Sequence, residues 1–330
     1  MKVLVTGGAG YIGSHTVREL AQRGHEVAVI DTLEFGSQQM IAGIPFYQGS
    51  ITDAAFLDQT FQAVQPAAVI HFAAYKAPGE SMQEPVKYFQ NNIGGTLTLL
   101  DTMLHHRVNS IVFSSSCSIF GTPRQLPVSE DAATAPASVY GETKLMGETM
   151  LRWFDQTKGL KYNALRYFNA AGASLDAAIG ENWTRTGNLI PLTMKAAFYN
   201  TPVTVFGTDY PTPDGTAIRD YIHVVDLAIA HVVAVEHLVE TQQSTAYNLG
   251  VGKGYSVQEV INAAKRISGI DFPVEYGPRR AGDPEAIVAD CRKAERELGW
   301  HAQYSSLDTI LETAWRWHSS HPDGVNKVNA

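Results

Sequence analysis

The sequence predicts an α/β protein: a doubly wound parallel sheet, followed by a smaller mixed α/β domain that binds substrate. Three observations carry this. The first half alternates short β-branched runs with longer helical stretches, the rhythm of parallel βαβ units. A glycine-rich turn separates the first strand from the first helix. After Gly172 the alternation breaks into a loop-rich stretch, which places a boundary between residues 1–172 and 173–330, with some later segments returning to the first domain.

In order, KVLVT opens as a strand and SHTVRELAQRG follows as a helix. EVAVID is the second strand, IPFYQGS a short third, and ITDAAFLDQTFQAV the next helix. AAVIHFAA is apolar throughout, as expected of a strand covered on both faces. PVKYFQNNIGGTLTLLDTMLHHR predicts one long helix with proline at its start, where a missing N–H costs nothing. SIVFSSS is the fifth strand, VYGETKLMGETMLRWFDQTKG a long helix closed by Gly159, and KYNALRYFNAAG the sixth strand. Beyond the boundary, VTVFG predicts a strand, and DLAIAHVVAVEHL and SVQEVINAAKRISG predict helices.

The composition narrows the function. The 330 residues are 45% hydrophobic and 18% charged, enough for a large core and unlike a disordered chain. Net charge is −8, so the cationic stripe needed for nucleic acid or an anionic membrane surface is not expected. Two cysteines exclude a disulfide framework, no metal site is expected, and His105-His106 reads as an answer to a helix dipole. The AIAHVVAVEHL stretch is interrupted by His231, Glu236 and His237, so no membrane span is expected. With no leader-like start, a cytoplasmic protein is expected.

Gly7, Gly10 and Gly13 form GxxGxxG between a strand and a helix. Gly7 allows the bend, Gly10 lets backbone N–H groups approach a pyrophosphate, and Gly13 lets the helix pack on the sheet. Asp31 ends the second strand, where a carboxylate accepts from the adenosine ribose and repels a 2′-phosphate, favouring NAD over NADP; the alternative is an aspartate that starts a turn. Tyr140 and Lys144 stand four apart on one helix face. A tyrosine base needs its pKa lowered by about three units, part of which a nearby ammonium and an oxidised nicotinamide would supply. Ser114, Ser115, Ser116 and Ser118 lie at the C-terminal end of the fifth strand, and the residues alone do not choose among them. Arg219 and Arg280 sit in loop contexts of an acidic protein and suit a dianionic ligand, or else are exposed solubilising residues.

The strings TGGAGYIGSH, GESMQEPVKYFQNNIGGT, SSSCSIFG, VYGETK, RYFNAAGA and RDYIHVVDLA follow one another in order. Together they resemble the extended short-chain dehydrogenase/reductase family, most closely its UDP-glucose (UDP-galactose) 4-epimerases, over nearly the whole chain. The resemblance implies a Rossmann-type first domain and NAD-dependent 4-epimerisation of a UDP-hexose through a transient 4-keto sugar. It implies Tyr140 as base, Lys144 as holder of the nicotinamide ribose and Ser116 as the proton-shuttling hydroxyl. Tyr11, Ile12, Ser50, Ile51, Phe72, Ala73, Ala74, Lys76, Asn91, Asn92, Ser114 and Tyr167 match cofactor-contact positions. Asn169, Asn188, Leu189, Phe206, Arg219, Arg280, Asp283 and Ile287 match substrate positions, which Lys76 also serves. Relatives of this kind pair as homodimers through the helices at 85–107 and 139–153.

The chain departs from that pattern at four places. The segment from Asp31 to Gly49 is short, and Ser50 stands where an aspartate often meets the adenine. Thr32 replaces a common asparagine, and Phe120 a common tyrosine. Ile287 is smaller than the tyrosine of some relatives yet stiff; it either opens the pocket to an N-acetyl group or merely packs. A dehydratase would carry carboxylates after Ser116, where Cys117-Ser118 stand instead, and no cations for a decarboxylase's sugar acid are evident. A catalytically silent NAD sensor is the remaining alternative, one that would be free to lose Tyr140, Lys144 or Ser116.

Overall fold

The computed structural model describes residues 1–280 and 282–325, with Arg185 described by its backbone alone. The strands are β1 (Lys2–Thr6), β2 (Glu26–Asp31), β3 (Phe46–Gln48), β4 (Ala68–His71), β5 (Ser110–Ser114), β6 (Lys161–Tyr167), β7 (Asn169–Ala171), β8 (Val203–Phe206), β9 (Ile218–His223), β10 (Thr245–Leu249), β11 (Gly254–Ser256), β12 (Val274–Gly277) and β13 (Ala286–Ile287). The helices are α1 (Tyr11–Gln22), α2 (Ala54–Val64), α3 (Pro78–Gln83), α4 (Pro85–Tyr88), α5 (Thr96–His105), α6 (Val139–Lys158), α7 (Leu189–Tyr199), α8 (Val224–Thr241), α9 (Val257–Ser268), α10 (Arg292–Leu298) and α11 (Leu307–Ser320).

Seven strands form one sheet in the order β10-β6-β5-β4-β1-β2-β3, every neighbouring pair parallel. The order reverses between β1 and β4, and ligands bind at such a switch point beyond the carboxyl ends of the strands. Period-2 alternation buries both faces. Val3, Val5, Val27 and Val29 pack with α1 and α8 residues, whereas Leu4, Ala28, Ile30 and Val69 pack with residues of α2 and α5. Truncating one such side chain, Leu4→Ala for example, costs about 2–5 kcal/mol.

The seventh strand, β10, and the helix α8, which packs against α1, come from beyond residue 172. The second sheet joins β11, β9 and β13, with β7 also on β9; β8 pairs with β12. Helices α7, α9 and α11 pack on one another around Met194, Ile261 and Leu311. The capping box of Ser256 and Glu259 starts α9 and Gly269 ends it in the left-handed region.

One expectation is corrected. KYNALRYFNAAG is not one strand: it breaks at Phe168, so that β6 stays in the large sheet and β7 pairs with β9 of the small one. The long helix expected from Pro85 does run unbroken to His105, through α4, a π-helical turn over Phe89–Gly95 and α5, and the widened turn carries Asn91 and Asn92.

Candidate active site

The C-terminal ends of β1, β2, β4, β5 and β6 converge on one crevice. At β1 the turn is held by Gly7 N–H donating to Ile30 O (2.7 Å) and Gly10 N–H to Gly7 O (3.2 Å). Gly7 has φ +72°, and a Cβ there would lie 2.6 Å from Ala73 N; one on Gly13 would lie 2.3 Å from Gly7 O. Only glycine lets this turn press on the end of β4 and α1 press on the turn. Gly10 caps α1 with no side-chain hydrogen bond, which leaves first-turn N–H groups for an anion. The Asp31 carboxylate accepts from Ala9 N (3.1 Å) and Leu33 N (2.8 Å), and burial raises its pKa against those bonds. This cradle fits a dinucleotide.

Around it, the short segment after Asp31 crosses the turn: Ser37 N–H donates to Ala9 O (3.0 Å), and Tyr75 Oη donates to Glu34 (2.7 Å). Phe72 and Ala73 extend from β4 through bonds to Thr6 O, and Ala74 continues the loop. Asn92 clamps that loop, accepting from Tyr75 N (2.9 Å) and donating to Tyr75 O (3.0 Å), while Asn91 donates to Asn92 (3.0 Å). Ile12 packs against the core and Ile51 is buried beneath Gly95. The Ser50 hydroxyl bonds Thr52 (2.8 Å), and the Tyr11 hydroxyl donates to Gly172 O (2.6 Å), tying the start of α1 to the end of β7.

Tyr140 lies in the first turn of α6, which Ser138 starts by accepting from Gly141 N (3.1 Å). A Cβ on Gly141 would lie 2.6 Å from Ser118 O, so its absence brings α6 close to the serine run. Lys144 Nζ, one turn on, donates to Ser114 O (2.7 Å) and lies 5.9 Å from the Tyr140 ring centroid. Ser114 Oγ and Tyr167 Oη are 2.6 Å apart, and Ser116 Oγ accepts from Ser118 N (3.1 Å). Tyr140, Lys144, Ser114 and Ser116 are all buried.

Burial dominates the electrostatics of the pair. Burial pushes the Tyr140 phenol well above its ordinary range, and the neighbouring Tyr167 adds to this; a hydrogen bond with Ser116 opposes it. Burial lowers Lys144 to about 7, with Glu148 holding it up. Lys144 Nζ is held by the Ser114 carbonyl on the side of the helix that also carries Tyr140, and burial disfavours the charged form of both groups.

Four predicted residues come together beyond β7. The Arg280 guanidinium lies 3.9 Å from the Phe206 ring centroid, and Arg219 Nη2 is 3.7 Å from Asp283 Oδ1. Arg219 also donates to Ile218 O (2.8 Å) and Pro284 O (2.9 Å), which fixes its direction. Asn169 starts β7, and Asn188 caps α7 just before Leu189. Ile287 is buried with Ile119, Phe120, Val128 and Phe168, in the packing role that was one of its two readings.

Sequence reasoning missed Glu181. Its buried carboxylate accepts from Asn188 Nδ2 (3.2 Å) and Thr186 Oγ1 (3.1 Å), and lies 3.5 Å from Lys76 Nζ. Lys76 and Asn188 thus meet on one acid across the crevice. No local pattern marks that residue; only its place between two loops does.

Residues 3–250 match the NAD dependent epimerase/dehydratase family. The chain is 48% identical over 330 residues to UDP-glucose 4-epimerase of Halalkalibacterium halodurans, covering 100% of this chain and 99% of the relative. It superposes on the crystal structure of UDP-glucose 4-epimerase from Brucella ovis in complex with NAD with a TM-score of 0.94 and 48% identity, over 96% of this chain and 98% of the other. The enzyme from Bifidobacterium longum in complex with NAD+ and UDP gives 0.94 and 40%, over 98% and 100%. With the glycine cradle and the Tyr140–Lys144 pair at the same crevice, these likenesses over the whole length place the chain in the NAD dependent epimerase/dehydratase family, among the UDP-glucose 4-epimerases.

Proposed function

We propose that this protein interconverts the 4-epimers of a UDP-hexose, UDP-galactose and UDP-glucose, with NAD as a retained cofactor. The observation that carries the reading is the buried constellation of Tyr140, Lys144, Ser114 and Ser116 beside a dinucleotide cradle. Bound NAD supplies what no side chain offers, a two-electron hydride acceptor that gives back what it takes, and a positive ring when oxidised.

The chain's residues do the rest. Gly7, Gly10 and Gly13 receive the pyrophosphate, Asp31 the adenosine ribose, and Lys144 the nicotinamide ribose. Tyr140 takes the proton of the sugar's 4-hydroxyl and returns it, with Ser116 orienting that proton. Because burial raises the phenol, Tyr140 gives up its own proton only with a cation at the crevice. Arg219 and Arg280 hold the UDP diphosphate while the 4-keto sugar turns about its bond to it, and Phe206 flanks the uracil. Asp283, paired with Arg219, meets the uridine ribose.

Purified protein mixed with UDP-galactose and no added cofactor is expected to form UDP-glucose with no net NADH absorbance. Accumulating NADH, or no UDP-glucose, sinks the reading. The N-acetylated UDP-hexosamines are a second substrate pair if Ile287 leaves room, and steady-state rates on both pairs decide it: no N-acetyl turnover ends that part.

We also read the first domain as residues 1–172 with 224–249 added, and the protein as a cytoplasmic homodimer. Two free cysteines, Cys117 and Cys291, suit a reducing compartment. Met82, Val86, Leu97 and Trp153 are 62%, 65%, 47% and 55% exposed on α3, α4, α5 and α6, an apolar surface suited to a second copy. No helix among the described residues is long and apolar enough to cross a membrane. Sedimentation as monomer alone would refute the dimer.

A further inference from the structure

Beneath the catalytic pair lies a buried ionic cluster that the proposed mechanism does not use. Glu148 is one further helical turn along α6 from Lys144, and the two side chains land on adjacent residues of the same strand end. Lys144 Nζ donates to Ser114 O (2.7 Å), and Glu148 Oε1 accepts from Ser115 Oγ (2.5 Å). Arg166, from the neighbouring β6, grips Glu148 with two nitrogens: Nη2 to Oε2 at 2.6 Å and Nε to Oε1 at 3.0 Å. Its remaining nitrogen donates to Glu130 O (2.8 Å), and its guanidinium lies 5.4 Å from the Phe120 ring centroid. Glu148 and Ser115 are 8% and 0% exposed.

A carboxylate this deep is costly unless it is paired, and a bidentate guanidinium with a hydroxyl satisfies it. The arrangement ties three elements, β5, β6 and α6, at the point from which Ser116 and Lys144 reach the crevice. We propose that Glu148 is a positioning residue for the epimerisation: clamped by Arg166, it fixes the Ser114–Ser116 strand end against α6 and stands as the carboxylate counter-ion one helical turn beyond Lys144. This rests on the functional reading above.

The surroundings of Lys144 leave that task to Glu148. From α6 it faces Tyr140 and Glu148, and from β5 the Ser114 carbonyl and the Phe113 ring, 5.1 Å from Nζ. From β4 it faces His71, which burial keeps neutral at about 3, and β6 presents Tyr167 on Ser114. The nearby thiol of Cys117 is pushed up to about 12. Glu148 is the acid among these whose charge raises Lys144.

The test is Glu148→Gln in the holoenzyme, assayed from pH 6 to 10 with UDP-galactose, with released NAD and melting temperature measured alongside. Expected are an NAD content like wild type, a KM within about threefold, a kcat lower by about tenfold at pH 7, and an alkaline limb moved about one unit to lower pH. A role in stability alone would lower the melting temperature and leave that limb in place, which overturns the inference. Inactive wild-type protein overturns the functional reading and this inference together; active wild type with a superimposable Glu148→Gln profile overturns only this one. Should Glu148→Gln not fold, Ser115→Ala keeps both charges and removes the strand-end bond. It is expected to lower kcat about three- to tenfold, and an unchanged kcat overturns the positioning role.

Discussion

Replacing Lys144 by methionine should make the protein more stable while abolishing its activity. Lys144 is 4% exposed, and burial lowers it from 10.5 to about 7. At 1.36 kcal/mol per pH unit, keeping that ammonium buried costs on the order of 5 kcal/mol as a ceiling. Methionine has similar length and no charge, but it leaves the Ser114 carbonyl without its donor, a loss of about 1–3 kcal/mol. The net gain is about 2–4 kcal/mol below pH 7. Unfolding entropy is about 2.1 cal/mol/K per residue. Over 330 residues this makes about 0.7 kcal/mol/K, so the melting point should rise by about 3–6 °C.

The pH dependence has a definite sign. The folded value of Lys144 lies below the unfolded one, so between pH 7 and 10.5 the unfolded chain binds the extra proton and wild-type stability climbs as pH rises. The advantage of Lys144→Met is therefore full at pH 6. At pH 9 the ceiling falls to about 2 kcal/mol, which the unpaired carbonyl cancels. Thermal melts of both proteins freed of NAD, from pH 6 to 9, read this as a difference. A methionine variant that melts below wild type at pH 6, or a difference independent of pH, refutes the reasoning.

Tyr140→Phe should lower turnover by about 10²–10⁴-fold, the usual range for a lost general base, with NAD content unchanged in the purified protein. Gly13→Ala places a Cβ 2.3 Å from Gly7 O and 2.8 Å from Gly8 Cα, both backbone, so α1 must back away. Destabilisation of about 1–3 kcal/mol and a loss of bound NAD, measured by melting and by acid release, are expected. Arg280→Ala removes the guanidinium on Phe206; a charge-assisted bond of about 1.5–3 kcal/mol predicts a KM for UDP-galactose raised about 10- to 150-fold with kcat nearly unchanged. A kcat that falls as far as kcat/KM would contradict a binding role.

Whatever depends on neighbours within a helical turn, a strand or a tight turn was legible in the sequence. The glycine triplet, the order of strands and helices in the first half, Ser138 and Gly159 bounding α6, and the shared face of Tyr140 and Lys144 belong here. Each is set by backbone sterics or by a period of two or four residues. What tertiary structure alone decided is how distant segments divide the space. Phe168 hands the chain from one sheet to another, and β10 completes a sheet begun far upstream. Glu181 gathers Lys76 and Asn188, and Arg166 reaches Glu148 from the neighbouring strand. The charge states belong to the same class. Spacing puts Lys144 and Tyr140 on one helix face, yet both groups lie in a desolvated crevice whose depth no local pattern records. Burial is a property of everything packed around a residue, and it shifts both groups in a way the sequence does not make visible.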